Sequence, residues 1–332
     1  MIAFEFAEVY SYDLYKYSIG LNMKKISIVT TAYNEEESVE ELVSRVHELA
    51  LSEPSYQFEF IAVENGSKDK TFVKLTELKE KFSFLRIVKL SRNFQAQGGM
   101  LAGISQATGD AIVTMDADLQ HPPEVISSLI RKWEEGFKIV NTEKKNKSST
   151  LLRLMADKFF YELMYKYSGL RFGEADFRLI DREVANVLDQ LDESEKFLRG
   201  LISWTGFESS TVKYRVELRK HGVTKFSSRH LFEFAFLGLT SFSVAPLRSL
   251  LKLGFIIFVP SFIYLLFFLT IGSMNYFGVA DFDLPPGLAT LVVTVIFFGS
   301  IQILSIGVLG EYIGRIYKEV KGRPNFVIEE EV

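Results

Sequence analysis

From Ile26 onward, short apolar runs alternate with segments whose apolar residues recur every three or four positions. The first run, Ile26–Thr30, ends in the polar loop Thr31-Ala-Tyr-Asn-Glu35. Ser38 is suited to cap the following helix, in which Val39, Leu42, Val43, Val46 and Leu49 fall on one face. Phe58–Val63 predicts a second strand, closed by Asn65-Gly66-Ser67, with a helix from Asp69. Leu85–Leu90 predicts a third, with a helix near Gln97–Ala107. Ala111–Met115 is the fourth, followed by His121-Pro-Pro-Glu124 and a helix through Trp133. Such alternation implies a mainly parallel sheet covered by helices. Open sheets of this kind bind ligands at the carboxyl ends of their strands. Each run here ends in polar residues: Asn34-Glu35, Glu64-Asn65, Arg92-Asn93 and Asp116-Ala-Asp118. Those loops are expected to converge on one cleft.

The pattern changes near the C-terminus. The 28 residues between Lys252 and Asp281 carry no charge, nor do the 27 between Asp283 and Glu311. A bilayer-spanning helix needs about 20 mostly apolar residues. The dense stretches Leu253–Ile271 and Leu288–Leu309 are therefore expected to span a membrane, Pro260 kinking the first without preventing insertion. Buried core helices are the competing reading, but these rarely run so long uncharged. Arg248 and Lys252 precede the first span; Arg315, Lys318, Lys321 and Arg323 follow the second; the loop between holds Asp281 and Asp283 and no cation. The positive-inside rule then places both ends in the cytoplasm and the loop outside. Leu231–Leu247 is apolar but too short and interrupted for a third span, and suits a helix lying on the headgroups. The expected organisation is a tail at 1–22, a cytoplasmic α/β domain at 23–230, a juxtamembrane segment at 231–252, two spans within 253–310 and a cytoplasmic tail at 311–332.

Composition sharpens this picture. Hydrophobic residues make up 48% of the 332 and charged ones 24%, which excludes a disordered chain. The mean hydropathy of +0.12 is high for a chain with 38 basic and 42 acidic residues, because the apolar excess is concentrated in the C-terminal stretches. A net charge of −4 leaves no basic surface for general nucleic-acid binding. With no Cys, thiolate metal sites and Cys nucleophiles are excluded, and a metal would be a hard cation held by oxygens. GxGxxG and GxxxxGK[ST] are both absent, and Gly98-Gly99 with Gly103 reads as helix packing.

Asp116-Ala-Asp118-Leu-Gln120 is the informative stretch. Residues two apart in an extended chain face the same way, so both carboxylates can enter the cleft. Adjacent carboxylates repel unless a cation or donor lies between them. Asp118, with Gln120, suits Mg²⁺ or Mn²⁺, which normally also take substrate phosphate oxygens. For a bare Asp-x-Asp the commoner reading is a solvated pair capping the helix near Glu124, and the wider context decides.

Asp116-Ala-Asp-Leu-Gln-His-Pro-Pro-Glu124 resembles the signature of polyprenyl-phosphate glycosyltransferases of family 2, the group of dolichol-phosphate mannose synthases and bactoprenol glucosyltransferases. Ser27–Glu35, Val63–Ser67, Leu90–Phe94, Ala175–Arg178 and Gly310–Arg315 match in the family's order, covering nearly the whole chain. The resemblance implies a GT-A nucleotide-sugar domain that moves one hexose from a UDP- or GDP-sugar to a polyprenyl phosphate, undecaprenyl or dolichyl, inverting the anomeric centre. It implies nucleotide-sugar contacts at Thr31, Tyr33, Glu35, Glu64, Asn65 and Asp116, and a metal at Asp116, Asp118 and Gln120. A metal there would stabilise the departing diphosphate. Asp176 matches a carboxylate serving as base or acceptor-positioning group, with a salt bridge to Arg178 or Arg182 as its plain structural alternative. Arg178, Arg219, Thr224 and Lys225 are expected around the acceptor phosphate. The resemblance implies Asp176 and Asp118 as the catalytic pair, and His221 and His230 lack metal spacing.

Three positions depart from the family pattern. Glu64-Asn65 stands where Asp-Asp is usual, Gln95 replaces a small residue, and Lys144 and Lys145 stand near an expected Arg. Asn65 keeps an amide oxygen and adds a donor, which loosens the choice of base. A lysine is a weaker, non-bidentate substitute for that Arg. The expected setting is the inner membrane, with a cytoplasmic catalytic domain and the lipid, nucleotide sugar and membrane as partners; homo-oligomerisation is left open. The competing classes are a non-catalytic nucleotide-sugar-binding membrane scaffold, which has no need of the three aspartates, and a processive synthase, whose Gln-x-x-Arg-Trp motif is missing around Trp204.

Overall fold

The computed structural model describes residues 23–145, 162, 165, 176–191, 193, 197–215, 245–278 and 287–332. These fall into two compact units, one of which holds residues 23–215 and 323–332 among those described, and the other 245–278 and 287–322.

The first unit is built on an eight-stranded sheet in the order β7-β5-β6-β4-β1-β2-β3-β8. Its strands are β1 (Lys25–Ala32), β2 (Gln57–Glu64), β3 (Leu85–Leu90), β4 (Ala111–Asp116), β5 (Ile139–Lys144), β6 (Arg178–Asp181), β7 (Ser209–Tyr214) and β8 (Ile328–Glu331). The central pairs β4-β1, β1-β2 and β2-β3 are parallel, β6 runs antiparallel between β4 and β5, and β8 antiparallel along β3. The expected mainly parallel α/β domain is what forms.

Helices α1 (Val39–Ser52), α2 (Thr71–Lys81) and α4 (Val125–Glu134) share one apolar cluster with Ile26, Ile28 and Ala32 of β1. Alternate strand residues face opposite ways, so Val29 and Thr31 turn to the other face, which α3 (Gln95–Gln106) covers. α3 sits close because its glycines allow it. An added Cβ on Gly103 would lie 2.2 Å from Val29 Cγ1, and one on Gly99 would lie 2.3 Å from Thr31 Cγ2. The Gly98-Gly99/Gly103 group is thus a packing surface. Helices α5 (Arg182–Asp189) and α6 (Leu198–Trp204) complete the unit. Ser38 does stand at the cap position of α1, but its hydroxyl donates to Glu35 Oε2 at 2.8 Å rather than to the first turn.

β8 was not visible as a strand in the sequence. Where a tail was expected, Ile87 and Val332 exchange backbone hydrogen bonds of 2.9 Å, and Lys89 pairs with Glu329 at 3.2 Å. β8 covers the edge of β3 with three successive glutamates, Glu329–Glu331.

The second unit consists of α7 (Ala245–Tyr276) and α8 (Leu288–Val320), which touch each other. At 32 and 33 residues, both exceed the stretches expected from charge-free sequence, and α7 continues through Pro260. Among the described residues, Phe297–Val320 is the stretch long and apolar enough to cross a membrane by length and composition. Most of the expected interfacial segment, 231–244, lies outside the described residues.

Candidate active site

Parallel pairing sets Asp116, the last residue of β4, beside Thr31 of β1. β6 runs back along β4 with Thr114 opposite Arg178, which brings Asp176 alongside the end of β4. The Thr114 hydroxyl donates to the Asp176 carbonyl at 2.6 Å and fixes that approach. Beyond Asp116 the chain turns through Leu119, whose φ of +62° is rare for a leucine. Burial of the Leu119 side chain holds this conformation. Asp118 Oδ1 accepts the Gln120 N–H at 3.2 Å within the turn. Neither aspartate caps α4, whose cap position is Glu124.

His121 returns beneath the turn and is 2% exposed. Its Nδ1 accepts the Asp116 N–H at 3.1 Å, and its ring stacks on Phe177 with centroids 5.1 Å apart. Burial, with Lys144 nearby, pushes the imidazole down to about 4, so it stays neutral and its Nδ1 is free to accept. Sequence reasoning assigned this histidine nothing, although it stands inside the informative stretch.

The carboxylates at this corner are driven apart electrostatically. Asp116 is enclosed by surrounding protein, although 49% of its side chain is exposed. That enclosure, then Asp176, then Asp118, pushes its carboxyl up to about 7. Burial acts upward on Asp176 too, but Arg199 overrides it. The Arg199 guanidinium grips both carboxylate oxygens, with Nε 2.6 Å from Oδ1, and Asp176 is held at about 2. The Arg178 side chain, 2% exposed, reaches within 4.0 Å of Asp176 Oδ1. The expected partners were Arg178 or Arg182. Arg178 is such a partner at 4.0 Å, but the tight one is Arg199, and Arg182 Nε donates to the Gly109 carbonyl at 2.8 Å. No spacing announces Arg199, because 22 residues separate it from Asp176 in the sequence and α6 brings it back.

Next to this corner, a cleft of about 590 Å³ opens at the ends of β1, β2 and β3. Tyr33, Glu64, Lys68, Lys89, Arg92 and Glu329 are among its walls. Side chains lace its loops together. Asn34 Oδ1 accepts the Lys68 N–H at 2.8 Å, and Glu64 accepts the Ser67 N–H. Gly66, at φ +69°, lets the β2 loop run against the Arg92–Asn93 backbone, where a Cβ would lie at 2.6 Å.

Of the residues expected to hold a nucleotide sugar, Tyr33 and Glu64 line the cleft. The others are placed differently. Asn65 is 1% exposed, and its amide is taken up by the neighbouring loop: Oδ1 accepts the Phe94 N–H and Nδ2 donates to the Gln95 carbonyl, both at 2.9 Å. The expected base-facing amide is therefore a brace that holds Gln95 at its φ of +63°. Glu35 opens α1, its carbonyl accepting the Ser38 and Val39 N–H groups. The Thr31 hydroxyl is buried against Gly99 and has no hydrogen-bond partner among the described residues. Asp116 belongs to the carboxylate corner. Arg219, Thr224 and Lys225 lie outside the described residues.

Among the described residues, no group of three or more His, Asp or Glu side chains forms a metal cage. Asp116 and Asp118 nevertheless fit a hard divalent cation that takes its remaining ligands from phosphate and water. After burial, the upward push on Asp116 comes from repulsion by Asp176 and Asp118, and that part such a cation would relieve.

Residues 27–188 match the family described as Glycosyl transferase family 2. An uncharacterized glycosyltransferase of Synechocystis sp. is 38% identical over 309 residues, 92% of this chain and 95% of that protein. The SfII prophage-derived bactoprenol glucosyl transferase of Shigella flexneri is 36% identical over 92% of this chain and 97% of its own length. The crystal structure of glucosyl-3-phosphoglycerate synthase from Mycobacterium tuberculosis superposes with a TM-score of 0.47 at 18% identity, covering 64% of this chain and 75% of that one. With relatives this similar over nearly its whole length, the chain belongs to glycosyltransferase family 2.

Proposed function

We propose that this glycosyltransferase moves a single hexose from a UDP- or GDP-sugar to a polyprenyl phosphate at the cytoplasmic membrane face, with inversion. The observation that carries the proposal is the corner of Asp116, Asp118 and Asp176 beside the 590 Å³ cleft. The acceptor phosphate oxygen attacks the anomeric carbon from the side opposite the diphosphate. The bond from that carbon to the diphosphate oxygen breaks, its electron pair leaves with the diphosphate, and the configuration inverts. Asp116 and Asp118, with Gln120 beside them, would hold Mg²⁺ or Mn²⁺, which when bound supplies positive charge against the leaving diphosphate. Held at about 2, Asp176 remains ionised at neutral pH and is a poor proton acceptor. A phosphate dianion needs no base, so Asp176 acts by position and charge.

The bactoprenol glucosyl transferase relatives support a glucosyl donor and a polyprenyl acceptor. The long apolar helices support a membrane hairpin in which both α7 and α8 cross the bilayer. The test offers the purified full-length chain a panel of UDP- and GDP-sugars with undecaprenyl phosphate and Mg²⁺ or Mn²⁺, and reads the product mass. Asp118→Asn is expected to lower transfer at least about a hundredfold, the usual scale for losing charge stabilisation of a leaving group. Full activity in that variant would overturn the proposal.

A further inference from the structure

Resting on that reading, we infer that Arg199 is part of the seat for the acceptor's phosphomonoester, and that this phosphate competes with Asp176 for its guanidinium fork. Arg199 presents Nε and Nη2 to two oxygens of a single anion, the planar pairing a guanidinium makes equally with a carboxylate or a phosphate. A second guanidinium, Arg178, stands behind the same carboxylate, its Nη2 4.0 Å from Asp176 Oδ1, so an anion seated on the Arg199 fork lies close to two positive charges.

The pair is also open to exchange, with Arg199 20% and Asp176 35% exposed, whereas Arg178 behind them is fixed by burial. α6 has other anchors besides the pair. Leu198, Leu201 and Ile202 are buried, and the Leu198 N–H donates to Gln97 Oε1 at 2.9 Å. An incoming phosphate would take the Arg199 fork from Asp176, which places its oxygens beside Asp116, where the sugar is transferred.

The experiment measures binding to the full-length chain in nanodiscs, so it does not depend on turnover. If the wild type transfers no sugar from any donor, the functional reading falls and this measurement still stands. The probes are farnesyl phosphate, farnesol, inorganic phosphate, and UDP or GDP, whichever the wild type binds. Arg199→Gln is expected to weaken farnesyl phosphate at least ~10-fold, with nucleotide affinity unchanged. Arg199→Lys should fall between that variant and the wild type. Asp176→Asn removes the internal occupant and should tighten farnesyl phosphate, a gain that a merely structural salt bridge would not give. Unchanged phosphate affinity in Arg199→Gln, or equal loss of nucleotide and phosphate, overturns the inference. Farnesol binding as well as farnesyl phosphate, or inorganic phosphate binding as tightly as the lipid, also overturns it. Should Arg199→Gln fail to fold, Asp176→Asn decides alone, tighter binding supporting the assignment and unchanged or weaker binding refuting it.

Discussion

Asp116 and Asp176 lie side by side, yet one carboxyl is pushed up to about 7 and the other held at about 2. Environments that separate two such groups mark their roles. A proton and a divalent cation compete for the Asp116 oxygens. Because this carboxyl is pushed up to about 7, cation affinity should weaken as pH falls below that value, approaching about tenfold per unit. Mn²⁺ titration with the nucleotide present, followed by calorimetry between about pH 6 and 8, checks this; a flat profile would remove Asp116 from the cation site.

Glu59 is the structural counterpart at the other end of the sheet. Burial alone would raise its pKa, but Lys25, Ser27 and Thr108 hydrogen-bond it down to about 2. A depressed carboxyl stabilises the fold above its unfolded-state pKa, and the contribution disappears as pH falls through the folded value. Glu59→Gln should therefore cost on the order of 3 kcal/mol near pH 7. The gap between variant and wild-type melting temperatures should narrow as the solution is acidified towards about pH 3.

The aspartates were legible because they sit in an ordered motif at a strand end. Arg199 and His121 were not, since their importance lies in partners that only folding brings near. Asn65 shows the same dependence: an amide that can read a base can equally brace a loop, and only folding shows that both its amide atoms have partners in the neighbouring loop.

Among the elements, β1 to β4 were legible to within about two residues, because central parallel strands are buried on both faces and read as apolar runs. β6 and β8 have four residues each, and β8 consists of an isoleucine and three glutamates, so no run or alternation marks them. Pairing partners, not composition, make them strands. The fit of α3 on the sheet gives a direct test. In Gly103→Ala the new methyl would meet Val29, which is fully buried and branched at Cβ, and Val63 at 3.0 Å. Overpacking of this kind should cost about 1–3 kcal/mol, read as a lower melting temperature. The same substitution at Gly254, where an added Cβ meets none of the described residues within 4 Å, should not lower it.

For the whole molecule, the absence of cysteine makes membrane topology directly measurable. With both helices crossing, Asp281→Cys in intact cells or right-side-out vesicles should react with a membrane-impermeant thiol reagent, while Lys24→Cys should react only after lysis. Protection at Asp281→Cys, or labelling at Lys24→Cys before lysis, would reverse or abolish the proposed hairpin.

The position of β8 in the chain also bears on how the protein is made. β3 ends at Leu90 and its edge partner begins at Ile328, so the ribosome must add about 240 residues between them. At about 5–20 residues per second, this takes roughly 12–48 s. Throughout that interval the β3 edge is an open template for wrong pairing. Both apolar helices are translated before the strand that closes it. A chain whose synthesis stops short of Ile328 would keep that edge open, so only full-length translation yields a sealed sheet.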